Sequence, residues 1–274
     1  MKFDNKLIVS DIDGTFFDDN AMIADRNIDA VNYFKENGGL FTFATGRNEI
    51  TIEPEIAKIA NAPIICCNGA YIYDYETCRR HNEICIAPGP AISIINTVLE
   101  SFPSVCAAIT VGTNFYIIGS GGHEQLEKNM LNLSEIGVTF ADSLDEVPSN
   151  QWYTVVFHGE SSQLDLVQKY INVAGENSYR ICRSWPTMLE VNNIRANKGK
   201  AACELKHLYD TKTNGIKLYG IGDYENDIEL LQQADISACP QNAIKALHEI
   251  ADVIVCSNND GAVAGLIEYI DENV

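Results

Sequence analysis

Positive charge is scarce in this chain. Its 274 residues carry 19 Lys plus Arg against 38 Asp plus Glu, a formal net charge of −19. Such a surface repels nucleic acid and anionic lipid, so neither is an expected partner. No CxxC spacing occurs among the nine cysteines. That excludes a zinc knuckle and argues against a disulfide framework; the thiols read as small buried residues in a reducing compartment. Long apolar runs are also missing, so no bilayer span is expected. The opening "MKFDNKLIVSD" is too short in apolar residues for a secretion signal, and a cytoplasmic location is expected. In that setting the glycosylation-like "NLS" at Asn132 means nothing, and His81, His123, His158, His207 and His248 show no ligand spacing.

What is present is a β-α-β rhythm. Lys6 to Ser10 reads as a buried strand. "RNIDAVNYFKENGG" follows as a helix, with Ile28, Val31 and Phe34 on one face and Gly38 as its stop. "GLFTFATGR" is a second strand, "EPEIAKIANA" a helix and "PIICCNGA" a third strand. This alternation predicts a parallel sheet covered by helices.

Near residue 84 the rhythm changes. "YIYDYETCRRHNEI" alternates like a hairpin and "ICIAPGP" reads as a linker. Helix-like "AISIINTVLESF" then leads to strand-like "VCAAIT" and "NFYIIG" and helix-like "EQLEKNMLNL". Strand-like "WYTVVFH" precedes helix-like "SQLDLVQKYINVA" and strand-like "YRICRSW" and "TMLEVN". The order suggests a loose duplication of a helix-strand-strand unit, without residue-level repetition. From about residue 187 the first rhythm returns, through "KGKAACELKHLYD", "IKLYGIGD", "ENDIELLQQA", "DISAC", "NAIKALHEIA", "DVIVC" and a last helix. The expected architecture is α/β: a doubly wound parallel-sheet (Rossmann-like) core formed by 1–83 and 187–274, with an inserted α/β cap domain at 84–186.

Three strands end in polar residues: "LIVS" before "DIDGT", "FTFA" before "TGR" and "LYGI" before "GDYEND". Ligands bind outside the carboxyl ends of parallel strands. Asp11, Asp13, Thr45, Gly46, Arg47, Asp223, Asn226 and Asp227 are therefore expected to converge, and Lys198, at the start of a helix in "RANKGKA", can join them. Several acids at one point need a cation, and all-oxygen sites suit Mg²⁺. Thr45 and Gly46 offer a hydroxyl and an N–H to a phosphate oxygen, and lysine with metal makes an acidic site hospitable to an anion. Phosphoryl transfer needs this combination of positioning and neutralisation. Asp11, at the strand end, is the better placed nucleophile, and Asp13 can serve the leaving oxygen and the water as acid and base.

"DIDGT", "TGR", the lysine of "NKGKA" and "GDYEND" resemble the four motifs of the haloacid dehalogenase-like superfamily. "CCNGAYIYD" and "SACPQNAIKALHEIADVIVCSNNDGAVAGLIEYI" resemble its Cof-type sugar phosphatase branch. The resemblance implies that Asp11 is the nucleophile and Asp13 the acid/base. It implies Mg²⁺ on Asp11, the Asp13 carbonyl and Asp223, with Asp227 assisting through water or lysine. It implies phosphate contacts from Ile12 N–H, Thr45, Gly46, Lys198 and Asn226. Phe16 and Phe17 stand where aliphatic residues are usual. The insert sits where that branch carries a large cap, which would close over the site, expel water and read the leaving group.

Other readings of the same residues remain open at this level. A calcium loop starting at Asp11 fails, because its sixth and twelfth positions are Phe16 and Met22. "GIGDYE" imitates a dinucleotide loop, but Glu225 replaces the third glycine. Lys198 is preferred over Lys200 on the resemblance alone. Arg47 could touch substrate or pair with a rim acid. Asn68 could be only a turn residue. Arg183 and Trp185 could face substrate or fill core and surface. The expected activity is Mg²⁺-dependent hydrolysis of a small phosphorylated metabolite, a sugar phosphate first, through an aspartyl-phosphate, by a monomer or weak homo-oligomer. A phosphosugar mutase and a non-catalytic phosphometabolite or metal sensor are the rivals.

Overall fold

The computed structural model describes residues 1–129, 137–174, 178–213 and 215–273. The chain forms two compact units. One comprises Met1–Asn48, Ile52–Glu83 and Asn197–Val274; the other comprises Glu49–Thr51 and Ile84–Ala196.

The first unit is built on a five-stranded parallel sheet. Its order is Val253–Val255, Ile236–Pro240, Lys217–Ile221, Lys6–Ser10 and Leu40–Phe43. Lys6–Ser10 is an interior strand, flanked by Lys217–Ile221 and Leu40–Phe43, and is buried on both faces, as an apolar strand of a covered parallel sheet must be. Leu7, Val9 and Leu218 pack with Ala201, Ala202 and Leu205 of the helix Lys198–Thr213. Phe16 and Phe41 meet Phe43, each at a centroid distance of 5.0 Å. In the helix Asp25–Glu36, Val31 and Phe34 are buried while Ile28 is only half-buried; Asn27 is the third buried residue, its amide bonded to the Phe16 carbonyl at 3.0 Å.

The third expected strand behaves differently. Ile64–Cys66 forms an antiparallel three-stranded sheet with Tyr71–Asp74 and Arg79–His81, and joins the parallel sheet through the Ala44–Ile65 bridge and shared core packing. Before that bridge, the edge of Leu40–Phe43 is met by the segment 61–63, with Asn61 N donating to the Phe41 carbonyl at 3.0 Å. Asn61 Oδ1 accepts from Phe41 N, and Thr42 Oγ1 donates to the Pro63 carbonyl. Two expected helices are shorter than their patterns, at Pro54–Ala57 and Lys245–His248.

The second unit is a six-stranded sheet in the order Tyr179–Trp185, Met188–Asn193, Trp152–His158, Cys106–Val111, Asn114–Ile118 and Val138–Phe140. All pairs are antiparallel except the last. The helices Pro88–Ser101 and Ser161–Ala174 bury Ile95, Val98, Leu164 and Val167 against Ala107, Ile109, Val155 and Phe157. Two readings are corrected here. "ICIAPGP" is not a linker throughout, because Pro88 begins a helix, where its missing N–H costs nothing. The return to the first unit falls at Asn197 rather than 187, because Met188–Asn193 pairs on both sides within the second sheet. The expected helix "EQLEKNMLNL" is seen as His123–Asn129; its remainder, with Asn132, lies outside the described residues. Among the described residues no helix is long and apolar enough to cross a membrane.

Candidate active site

Register brings the acids together. Ser10 lies opposite Ile221 on one side and Phe43 on the other. The pairing continues past the strand ends: Asp11 N donates to the Ile221 carbonyl at 2.9 Å, and Ala44 N to that of Ser10 at 2.8 Å. The next residues of three neighbouring strands thus emerge roughly one strand spacing, ~4.8 Å, apart.

Lys198 organises the centre. Its ammonium is fully buried and donates to Asp11 Oδ1 and Asp227 Oδ1, both at 2.7 Å. It is delivered by the N-terminus of its helix, where Asn197 Oδ1 accepts from Lys200 N at 2.8 Å. Asp227 is anchored further: its Oδ2 accepts from the main-chain N–H groups of Asp223 at 3.0 Å and Tyr224 at 3.2 Å. Asp223 receives Thr15 Oγ1 at 2.6 Å. Gly14 sits between these groups at φ +80°, and a Cβ there would lie 2.5 Å from Asp223 Oδ2. The glycine of "DGT" is therefore required twice, by its backbone angle and by the carboxylate beside it.

Asp11, Asp223 and Asp227 are all buried, each with an oxygen within 4.8 Å of the others'. Burial first, and the Asp227 charge next, push the Asp11 carboxyl well above its ordinary value, against the pull of Lys198. Burial and Asp227 likewise raise Asp223 to about 7, against its Thr15 bond. Burial would lower Lys198, but the charges of Asp11 and Asp227 outweigh it and raise it. Lys198 therefore keeps its proton, and three acids share one cation. This all-oxygen set, short of positive charge, fits a hard divalent ion.

Asp13 is placed elsewhere. Its side chain is about half exposed and is held by Arg47, Nε to Oδ2 at 3.0 Å and Nη2 to Oδ1 at 2.7 Å. Arg47 also pairs with Glu53 at 3.1 Å and lies 5.4 Å from the centroid of the Phe17 ring. Burial opposes its charge, but Asp13 and Glu53 raise its pKa on balance. Of the two roles open to Arg47 in the sequence, pairing with acids is the one the coordinates display.

Thr45 is buried, its Oγ1 accepting from Arg47 N at 3.1 Å, with half-buried Gly46 between them. Ile12 is fully buried and its carbonyl accepts from Phe16 N and Phe17 N, which folds the turn after Asp11. Asn226 is buried and donates to Asn68 Oδ1 at 3.1 Å. The sequence reading gave no site role to Thr15, Gly14, Glu53 or Asn242, whose Nδ2 bonds the Gly14 carbonyl at 2.8 Å. Gly14 and Thr15 carried a signal as part of "DIDGT", and Asn242 lay in the stretch "SACPQNAIKALHEI" that resembles the Cof-type branch; Glu53 carried none. In the second unit, Arg183 is buried against Asp165 and the Pro186 carbonyl, and Trp185 is 43% exposed.

Comparison with known proteins follows the same lines. A sequence model of the haloacid dehalogenase-like hydrolases matches residues 8–267. The chain is 22% identical to the pyridoxal phosphate phosphatase YbhA of Escherichia coli (strain K12), over 96% of this chain and 97% of that protein. It is also 22% identical to the 5-amino-6-(5-phospho-D-ribitylamino)uracil phosphatase YitU of Bacillus subtilis (strain 168), over 96% of each. A solved subclass IIB sugar phosphatase of the superfamily shares the fold, with a TM-score of 0.80 at 19% identity, covering 96% of this chain and 98% of that one. The chain belongs to the haloacid dehalogenase-like hydrolase family.

Proposed function

We propose that the protein is a Mg²⁺-dependent phosphatase of small phosphomonoesters, a sugar phosphate first among them, working through an aspartyl-phosphate on Asp11. The observation that carries this reading is the buried Lys198 bridging Asp11 and Asp227, beside Asp223, at the carboxyl edge of a parallel sheet. The names of the relatives support phosphoester hydrolysis, and they differ in the group that carries the phosphate.

Asp11 Oδ1 is fixed by Lys198, which leaves Oδ2 to form the bond to phosphorus while the bond to the leaving oxygen breaks. Asp13, half exposed and oriented by Arg47, donates a proton to that oxygen. It then takes a proton from water, whose oxygen attacks phosphorus; inorganic phosphate leaves and the Asp11 carboxylate is restored. Thr45, Gly46, Ile12 N–H, Asn226 and Lys198 hold the phosphoryl oxygens. Asp11, Asp223 and the Asp13 carbonyl would hold Mg²⁺, which when bound neutralises charge on the transferring group; Asp227, both of whose oxygens already accept bonds, supports them through Lys198 and the loop. The second unit is assigned the role of a substrate-reading cap.

The test is a free-phosphate assay with Mg²⁺ over sugar phosphates, nucleotides and phosphorylated cofactors. Release is expected in wild type and is expected to vanish in Asp11→Asn and with EDTA. Full turnover in Asp11→Asn would refute the nucleophile. An isomeric phosphosugar in place of free phosphate would indicate a mutase, and no turnover on any substrate would favour a sensor.

A further inference from the structure

The turn Cys67–Gly69 has an unusual backbone. Three consecutive residues take positive φ: Cys67 at 47°, Asn68 at 53° and Gly69 at 87°. Only the last is glycine, and all three are buried. Left-handed backbone is costly for non-glycine residues and persists where the surroundings fix it.

The surroundings here are the phosphate-side elements of the proposed site. Cys67 N donates to the Arg47 carbonyl at 2.9 Å, and Asn68 N to the Thr45 carbonyl at 2.9 Å. Asn68 Oδ1 accepts from Asn226 Nδ2 at 3.1 Å, across 158 residues of chain. Gly69 presses on the residue before Lys198: a Cβ there would lie 2.3 Å from the Asn197 carbonyl oxygen. One turn therefore touches the segments carrying Thr45, Asn226 and Lys198.

Asn226 supplies the second, independent observation. It is 4% exposed, and its Oδ1 has no hydrogen-bond partner among the described residues. The bond to Asn68 uses one of the two amide hydrogens, so one N–H and the carbonyl remain for a ligand. The second amide hydrogen can donate to an anion's oxygen, while the unmet Oδ1 can accept only from a proton-bearing group such as a protonated phosphoryl oxygen or water.

We propose that Asn68 is a positioning residue: its side chain orients the Asn226 amide toward the phosphoryl group while its main chain fixes Thr45. The inference rests on the phosphatase reading above for the identity of the ligand, but not for the Asn68–Asn226 coupling itself.

Asn68→Gly separates the two ways to read this turn. Glycine accepts the left-handed angle freely, so a residue that only shapes the turn keeps wild-type phosphate affinity in this variant. A positioning residue loses its grip on Asn226. The experiment compares wild type, Asn68→Gly, Asn226→Ala and the double variant with p-nitrophenyl phosphate and Mg²⁺. It reads the inhibition constant for inorganic phosphate, kcat, the thermal midpoint, and the side-chain amide resonance of Asn226, assigned by its absence in Asn226→Ala.

Asn68→Gly is expected to weaken phosphate inhibition by about tenfold, as for one hydrogen bond to a charged group, and to displace the Asn226 resonance. The double variant is expected to be no worse than Asn226→Ala, because coupled residues do not add. Wild-type phosphate affinity in Asn68→Gly, or losses that multiply in the double variant, would overturn the proposal. An unmoved Asn226 resonance overturns it even if wild type proves not to hydrolyse phosphate esters. That absence of hydrolysis, with the resonance displaced, would instead remove the phosphatase reading and leave the coupling standing.

Discussion

Arg47 grips Asp13 with two parallel hydrogen bonds, at 3.0 and 2.7 Å, and is itself steadied by Glu53 at 3.1 Å. A forked pair of this kind fixes direction as well as charge, which a lysine cannot reproduce. The side chain of Asp13 is thereby aimed by a residue 34 positions along the chain, not by its own turn.

If Asp13 serves the leaving oxygen, Arg47→Lys should harm poor leaving groups most. Hydrolysis of a sugar phosphate is expected to fall by ~10- to 100-fold, within the range of general acid–base help. Hydrolysis of p-nitrophenyl phosphate, whose leaving group needs no proton, should fall far less. Equal losses on the two substrates in steady-state assays would contradict the role given to Asp13.

Lys198→Met leaves Asp11 and Asp227 buried without their cation. Breaking a buried pair from one side typically costs about 3–5 kcal/mol. The variant is expected to unfold at lower urea than wild type in the absence of divalent ions and to show no turnover. An unchanged urea midpoint would mean that the acids are relieved in some other way.

Asp223 gives a pH dependence with a definite sign. Burial and the neighbouring Asp227 push its carboxyl up to about 7 in the fold, from an ordinary 3.8. A raised acid binds its proton more tightly when folded, so its stabilising contribution is complete below 3.8 and is lost as pH rises through about 7. Metal-free protein is therefore expected to lose stability between pH 4 and 7, and Asp223→Asn should flatten that slope. Mg²⁺ should raise the thermal midpoint more at pH 8 than at pH 6, because protons compete for the same oxygens. Calorimetry at both values checks this.

His158, in the second unit, has the opposite sign. It is 1% exposed, and burial lowers its pKa to about 3 from 6.5. The unfolded chain takes up a proton that the fold refuses, so stability is complete above about 6.5 and is lost as pH falls toward 3. The loss is at most about 1.4 kcal/mol per pH unit. His158→Phe should remove this part of the acid sensitivity, as read from urea midpoints at pH 7 and pH 5.

Much of this was legible in one dimension. "LIVS" before "DIDGT" marks a buried strand delivering acids to an edge, and the alternation of strands and helices makes that sheet parallel, with its ligand edge defined. The family likeness rests on the same four short stretches. Less was legible where pairing partners were needed. Ile64–Cys66 looks like another parallel strand by composition, yet it pairs with Tyr71–Asp74, which no local pattern specifies. Met188–Asn193 looks like part of the return to the first unit until its two neighbours are known.

Which residues could do the chemistry was already written in the chain, because charge, hydroxyl and periodicity are local properties. How they are shared out waited on the fold. Register set Asp11 beside Ile221, a helix start brought Lys198 between Asp11 and Asp227, and a left-handed turn linked Asn68 to Asn226. Those choices depend on distances between residues far apart in sequence, which close packing fixes and local propensity does not.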